Sequence, residues 1–200
     1  MAFWEGAVRE RHRNDMFSPR ELAGQYLQRY RETGDIDDVI RARNMAQGSL
    51  ANMPHNVAAI GEMAAIMLTL HRFSDALSDV DELLRYAPSN PSFLAQRASL
   101  QMELGQYIAA AATLRRISVA DAHNVAAETV QSRYDELTGH LASARELLDD
   151  AMHQADRHID EPAQSRAWYH VRAGELAFNA SESRRRRSRR TRRARDLSGR

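Results

Sequence analysis

Apolar residues return along this chain at intervals of three and four, the spacing of one face of an α-helix. The clearest stretch runs from Val57 to Asn90, VAAIGEMAAIMLTLHRFSDALSDVDELLRYAPSN. Ala59, Ile60, Met63, Ala64, Met67 and Leu70 make one stripe; Ala76, Val80, Leu83 and Leu84 make a second. Between them Ser74 is placed to cap the second helix. Pro88-Ser89-Asn90 stops that helix, because proline cannot continue it and pushes the preceding residue out of the α region. The stretch predicts a helical hairpin with one apolar face.

Similar signals cover the rest of the chain. Residues 1–17 predict a short helix with Phe3, Trp4, Ala7 and Val8 on one side, ended by Asn14-Asp15. Ser18-Pro19-Arg20-Glu21 reads as a capping box with proline in the first turn. It opens the stripe Leu22, Ala23, Tyr26, Leu27, Tyr30, which Gly34-Asp35 closes; Ile36, Val39, Ala42 and Ala46 follow on a second helix. Further on, Ala127, Val130, Tyr134 and Leu137 fit a stripe offset by one residue before Gly139, and Leu147, Leu148, Ala151 and Ala155 fit its partner. Asp160-Glu161-Pro162 breaks that helix, and SRAWYHVRAGELAFNA predicts one more, without a mate. The last residues, SESRRRRSRRTRRARDLSGR, contain one leucine and no stripe, a composition that predicts disorder.

The hairpins repeat. Gly34, His71, Gly105 and Gly139 fall at the turns, 37, 34 and 34 residues apart, and Val39, Ala76, Ala110 and Ala144 keep the same intervals. So do Ala46, Leu83, Ile117 and Ala151. Repeated helix–turn–helix units that cannot bury their apolar faces alone predict a stacked solenoid. The period of 34, the small residues Ala64 and Ala98, the turn Gly105-Gln106-Tyr107 and the terminal Pro88 make the chain resemble the tetratricopeptide repeat (TPR) family over roughly residues 20–180. The resemblance implies an all-α, right-handed TPR-type solenoid of about four repeats, with an unpaired C-terminal helix and a disordered basic tail. Its expected parts are an N-terminal helix (1–17), repeats at 18–56, 57–90, 91–124 and 125–161, a lone first helix (162–180) and the tail (181–200). Three features depart from the family pattern: a first unit three residues longer, Val39 where alanine is preferred, and Arg97 where leucine is usual. His71 holds a turn position that glycine takes elsewhere, a left-handed conformation histidine tolerates, and is read as structural.

Composition sharpens this picture at three points. With 9 Gly, 5 Pro and no alternating β-branched run, an all-helical chain is favoured. Cysteine is absent, which excludes disulfides, thiolate metal sites and cysteine nucleophiles. All 28 basic residues are arginine; Arg184–Arg200 holds ten against one aspartate, contributing +9 to a net +1 and leaving the remainder near −8. A basic segment of that density attracts nucleic acid, an acidic partner or an anionic surface, but no aromatics interleave with it to stack on bases. Three readings fit it: a functional basic arm, an inert tail lying on the acidic body, or a shifted reading frame that replaces the last helix. No apolar run approaches the ~20 residues of a membrane span, and the start lacks a signal-peptide pattern, so a cytoplasmic protein is expected.

For chemistry there is little. Phosphate loops, HExxH and GxSxG are absent, and the acidic run Asp75, Asp79, Asp81, Glu82 lacks a calcium loop's alternating ligands. His153, Asp156, His158 and Asp160 are read as a solvated helix end, since His153 and His158 lie on diverging faces. No catalytic residue, metal or cofactor is expected. The TPR resemblance implies instead a groove lined by the first helix of each hairpin, which binds a protein or an extended peptide. It would offer Ala58, Gly61, Glu62, Ala65, Leu68 and Thr69 from the second unit, and Ser92, Gln96, Ser99, Met102 and Glu103 from the third. Glu128, Ser132 and Asp135 would follow from the fourth, with Trp168, Val171, Glu175 and Phe178 from the lone helix. Glu62, Thr69, Gln96, Ser99, Glu103, Glu128, Asp135, Trp168 and Phe178 are the candidate binding residues. The alternative is an adaptor that holds nucleic acid or an acidic partner through Arg184–Arg195, weakly and without sequence preference for nucleic acid. The uncovered C-terminal helix makes a dimer a further expectation.

Overall fold

Four turns set the architecture. Gly34, His71, Gly105 and Gly139 all adopt the left-handed backbone region, with φ of 75°, 55°, 73° and 90°. After three of them the next amide reaches the carbonyl five residues back: Arg72 N to Met67 O at 2.8 Å, Gln106 N to Gln101 O at 2.7 Å, His140 N to Asp135 O at 2.7 Å. These bonds satisfy the last carbonyls of one helix and reverse the chain into the next. Glycine does this without steric cost; His71 carries a β-carbon through it, and its ring sits edge-on to Phe73, centroids 5.4 Å apart.

This computed structural model describes residues 2–10, 17–117, 124–158 and 163–198, with side chains in 3–8, 17–117, 124–158 and 163–181. Among them are ten helices and no strand: α1 (Ala2–Glu10), α2 (Phe17–Thr33), α3 (Ile36–Asn52), α4 (Val57–Thr69), α5 (Phe73–Tyr86), α6 (Pro91–Glu103), α7 (Tyr107–Leu114), α8 (Val125–Thr138), α9 (Leu141–Arg157) and α10 (Ala163–Ser198). The breaks expected at Asn14-Asp15 and Asp160-Glu161-Pro162 lie outside the described residues.

First helices begin by a common device. Asn56, Asn90 and Asn124, each 34 residues from the next, place their side-chain oxygens on first-turn amides: Ala59 N at 3.4 Å, Ser92 and Phe93 N at 3.0 and 3.1 Å, Ala126 and Ala127 N at 3.1 and 3.2 Å. Among second helices, α3 is capped in the same way, Asp35 Oδ1 accepting from Asp37 N at 3.1 Å, whereas α5, α7 and α9 have no side-chain cap. Ser74 does not cap α5: the turn delivers the chain so directly that the helix already includes Phe73, and Arg72 Nε donates instead to Asp75 Oδ2 at 2.6 Å. The composition of residues 181–200 predicts disorder, yet α10 continues to Ser198. Between Ser181 and Ser198 there is neither proline nor glycine, and arginine is among the better helix formers.

The chain divides into two compact units, residues 1–116 and 117–200. In the first, α2 pairs with α3, α4 with α5 and α6 with α7, and each hairpin stacks on the next through α3–α4 and α5–α6. Among the first helices, α4 has three neighbours: its own mate α5, the preceding second helix α3 and the preceding first helix α2. The repeated contact positions lie in the core. Val39, Ala46, Ala64, Ala76, Ala98 and Ala110 have no exposed surface. The third repeat's second helix stops at Leu114, so Ile117 lies beyond it, half-buried.

Polar groups enter this core where they find partners. Asp38 is fully buried between Arg29 of α2 and Arg41 of α3. The hydrogen bonds Arg29 donates hold its carboxyl below the usual carboxylate range. Arg97, where leucine is the family's habit, spans three helices, donating to Asp81 Oδ1 at 2.6 Å and Thr113 Oγ1 at 2.9 Å. Gln101 completes the set: its amide nitrogen donates to Thr113 Oγ1 (2.8 Å) and Ala109 O (3.2 Å), and its oxygen accepts from Arg97 (3.1 Å).

The second unit pairs α8 with α9 and lays α10 on α9. Its hairpin keeps the register of the others rather than slipping by one. Glu128, Ser132 and Asp135, each 34 residues after the buried Leu94, Ala98 and Gln101, are buried in their place, whereas Leu137 of the offset stripe is 51% exposed. Ser132 Oγ donates to Ala144 O at 2.6 Å, Ser143 Oγ and Gln131 Nε2 donate to Asp135 at 2.6 and 2.8 Å, and Gln154 Nε2 donates to Glu128 at 2.7 Å. A core position can be polar when donors meet every acceptor.

Two outcomes follow from this packing. Leu83→Ala, at a side chain 1% exposed, lowers unfolding free energy by about 2–5 kcal/mol in denaturant titration; a loss under about 1 kcal/mol would contradict its place in the core. On α5, burial together with Asp75 and Glu82 pushes Asp79 up to about 6. Folding raises this pKa, so the favourable contribution is present below about pH 4 and is lost as the pH climbs through about 6. Asp79→Asn therefore raises the thermal midpoint at pH 7.5 and changes it little at pH 4; equal shifts at both pH values would refute the assignment.

Candidate binding face

On α4 the buried stripe Ala59, Ile60, Met63, Ala64, Met67 is bordered by half-exposed Gly61, Glu62, Ala65, Leu68 and Thr69. The repeat intervals carry these positions to the neighbouring first helices. Glu62 corresponds to Gln25 on α2 and Gln96 on α6; Ala65 to Gln28 and Ser99; Thr69 to Glu32 and Glu103. All nine retain exposed surface. By the repeat interval, the first helices of this unit carry small and hydrogen-bonding side chains at three equivalent positions, with one carboxylate per helix among them: Glu32, Glu62 and Glu103.

Glu62 is the distinctive member. A β-carbon placed on Gly24 of α2 would come within 3.3 Å of Glu62 Oε1, so the carboxylate lies against the α2 backbone at the point where α2 and α4 meet. Burial raises its pKa above the ordinary glutamate value, opposed by the fields of Arg20 and Arg31. Among the described residues no group donates a hydrogen bond to it. The position of Gly24, 37 residues before Gly61, repeats the interval from Gly34 to His71. That interval was the signal for including α2, which the sequence reading left out of the groove.

The other candidates differ in availability. Thr69 Oγ1 donates to Ala65 O of its own helix at 2.8 Å. Gln96 and Ser99 are half-exposed and Glu103 is exposed. Met102 is 3% exposed and points into the core. Glu128, Ser132 and Asp135 are not on an open face: they are buried and bonded to Gln154, Ala144 and Ser143 of α9. The offset register placed them outward; the retained register turns them inward. Trp168 and Phe178, on α10 of the second unit, are 48% and 66% exposed.

Other chemistry finds no assembled site. Among the described residues no three of His, Asp or Glu are grouped to hold a metal ion, and no helix is long and apolar enough to cross a membrane. His153 Nδ1 lies 2.6 Å from Asp149 O, and Asp156 pairs with His170 at 3.2 Å; Asp160 lies outside the described residues. A shallow depression on α5, bordered by Ser74, Leu77, Ser78, Asp81, Glu82 and Arg85, is formed from that one helix.

No protein-family model matches the chain, and no curated protein does. Solved structures do match. A thermophilic TPR protein of Thermus thermophilus superposes with a TM-score of 0.66 at 19% identity, over 88% of each chain. YrrB, described as a TPR protein with an unusual peptide-binding site, gives 0.56 at 14% identity over 88% of this chain and 91% of its own. Residues 41 to the end of MamA from Desulfovibrio magneticus RS-1 give 0.53 at 16% identity over 86% and 98%. At such identities the likeness is one of fold, and the fold is that of the tetratricopeptide repeat.

Proposed function

We propose that this protein is a non-enzymatic scaffold that binds an extended segment of another protein across the shared face of α2, α4 and α6. The observation that carries this reading is Glu62, a partly desolvated carboxylate without a hydrogen-bond donor among the described residues, set against the Gly24 backbone. Such a group is stabilised by an incoming N–H or cationic side chain. The rows Gln25–Glu62–Gln96 and Gln28–Ala65–Ser99 supply further donors and acceptors on each side. Packed helices are about 8–10 Å apart and an extended chain advances about 3.3 Å per residue, so a peptide crossing the face presents roughly three residues to each helix. The preferred ligand carries basic residues, because Glu32, Glu62 and Glu103 give each helix one carboxylate. TPR folds such as YrrB, described as having a peptide-binding site, support a binding role on grounds of fold.

The test compares the intact protein with Glu62→Arg and Glu103→Arg. Partners captured from native lysate by the intact protein are retained at least tenfold less by each variant, while the thermal midpoint shifts by no more than about 2 °C, as expected for exposed or half-exposed sites. Undiminished capture by both variants would place the ligand elsewhere.

A further inference from the structure

Gly24 of α2 and Glu62 of α4 meet where these two first helices touch. The three atoms nearest to a β-carbon at position 24 would all belong to Glu62: Oε1 at 3.3 Å, Cδ at 3.8 Å and Oε2 at 4.0 Å. The next junction is open, since a β-carbon on Gly61, 37 residues on, would meet nothing within 4 Å. Glu62 is half-buried, and burial raises its pKa against the fields of Arg20 and Arg31. Both arginines lie on α2; among the described residues α3 and α5, the other helices packed on α4, contribute no charge to it. Neither arginine pairs with Glu62: Arg20 pairs with Glu21, and Arg31 donates to Gln28 Oε1 at 3.4 Å.

We propose that Gly24 is the positioning residue of the binding face: its missing side chain seats the Glu62 carboxylate against α2, and that seat makes a basic side chain of the ligand compete with a proton for the same group. The inference rests on the proposed function and adds its regulation. A fully solvated glutamate titrates at about 4.3 and stays ionised in mild acid. Seated between two helices, Glu62 loses hydration that favours its charged form, so it takes up a proton at higher pH. A cation arriving at the carboxylate replaces that hydration with a charge-assisted bond and favours the ionised form. Proton and ligand then exclude one another. Below the pKa of the free protein, each unit of pH lowers the affinity by a factor approaching ten. The other first helices of this unit have Gln25 and Gln96 at the position of Glu62, and these bind no proton. Glu32 and Glu103 are exposed and have no such seat.

Two measurements on the full chain test this. In the first the proton is the probe: the carboxyl carbons of labelled glutamate are titrated by NMR, and the Glu62 signal is assigned by its loss in Glu62→Gln. Its midpoint is expected above about 4.3 in the intact protein. It falls towards that value in Gly24→Leu, whose side chain fills the seat and turns the carboxylate out to solvent. Leucine favours a helix over glycine, so the thermal midpoint of this variant does not drop. Gly24→Ala, for which Oε1 must give by only a few tenths of an ångström, is the milder variant and lies between. The second measurement uses a synthetic peptide of four arginine–serine–glycine repeats, which offers about one arginine to each helix crossed. Its affinity falls as the pH is lowered from 7.5 through the Glu62 midpoint, approaching tenfold per unit. The fall is shallower in Glu62→Gln and begins at lower pH in Gly24→Leu. A Glu62 midpoint at or below the ordinary value, a midpoint unmoved in Gly24→Leu, or a fall as steep in Glu62→Gln would each overturn this inference and leave the face as a binding surface. No binding of the peptide to the intact protein at pH 7.5 would overturn the reading of the face itself, and this inference with it.

Discussion

Close approach of paired helices at side chains no larger than a methyl or hydroxymethyl group is the constraint from which three of the four hairpins follow; in the first, the buried Leu27 and Val39 stand at those points. Ala64 and Ala98 on first helices, and Ala76, Ala110 and Ala144 on second helices, have no exposed surface, and Ser132 has almost none. A longer side chain at these points would separate the helices and forfeit the dispersion contacts that make each hairpin one body. The left-handed turns at Gly34, His71, Gly105 and Gly139 supply the reversal that brings those positions face to face. Stacking then follows, because a hairpin that buries one face internally still leaves apolar surface to cover.

Much of this is legible in the sequence, for physical reasons. Periodicity of 3.6 residues identified the helices, and the interval of 34 identified turns and contact positions, because both arise from repeated local geometry. The failures share a cause. The fourth hairpin was read one residue out of step because an apolar stripe was sought where the chain buries Glu128, Ser132 and Asp135. A buried carboxylate looks like a surface residue until its donors, here Ser143, Gln131 and Gln154, are located, and two of these come from another helix. The asparagine caps at 56, 90 and 124 stand at the repeat interval, but Asn90 lies beside Pro88, whose stop signal masks the start that follows it. Disorder after Ser181 was inferred from the missing apolar stripe, although helix continuation needs none when no residue breaks it.

Function is less legible because binding residues in a repeat fold carry no motif. Glu62 differs from a solvated glutamate only through Gly24, a residue 38 positions earlier that lets α2 approach. The α2–α4–α6 face and the exposed side of α10 are both consequences of one architecture: first helices have a side that no hairpin partner covers, and Trp168, Val171 and Phe178 stand where α4 has Ala58, Gly61 and Leu68. What differs is chemistry. The first is polar with a carboxylate on each helix; the second is apolar.

The account depends most on the fourth hairpin keeping the common register. Since the chain contains no cysteine, Ser132→Cys with Ala144→Cys introduces a single pair, at positions joined by the 2.6 Å bond from Ser132 Oγ to Ala144 O. Under mild oxidation this pair is predicted to form an intramolecular disulfide in the folded protein, whereas Gln131→Cys with Ala144→Cys, the pair that a one-residue slip would bring together, is not. A crosslink from position 131 and none from position 132 would show that the register slips, and the shared geometry of the hairpins would be lost with it.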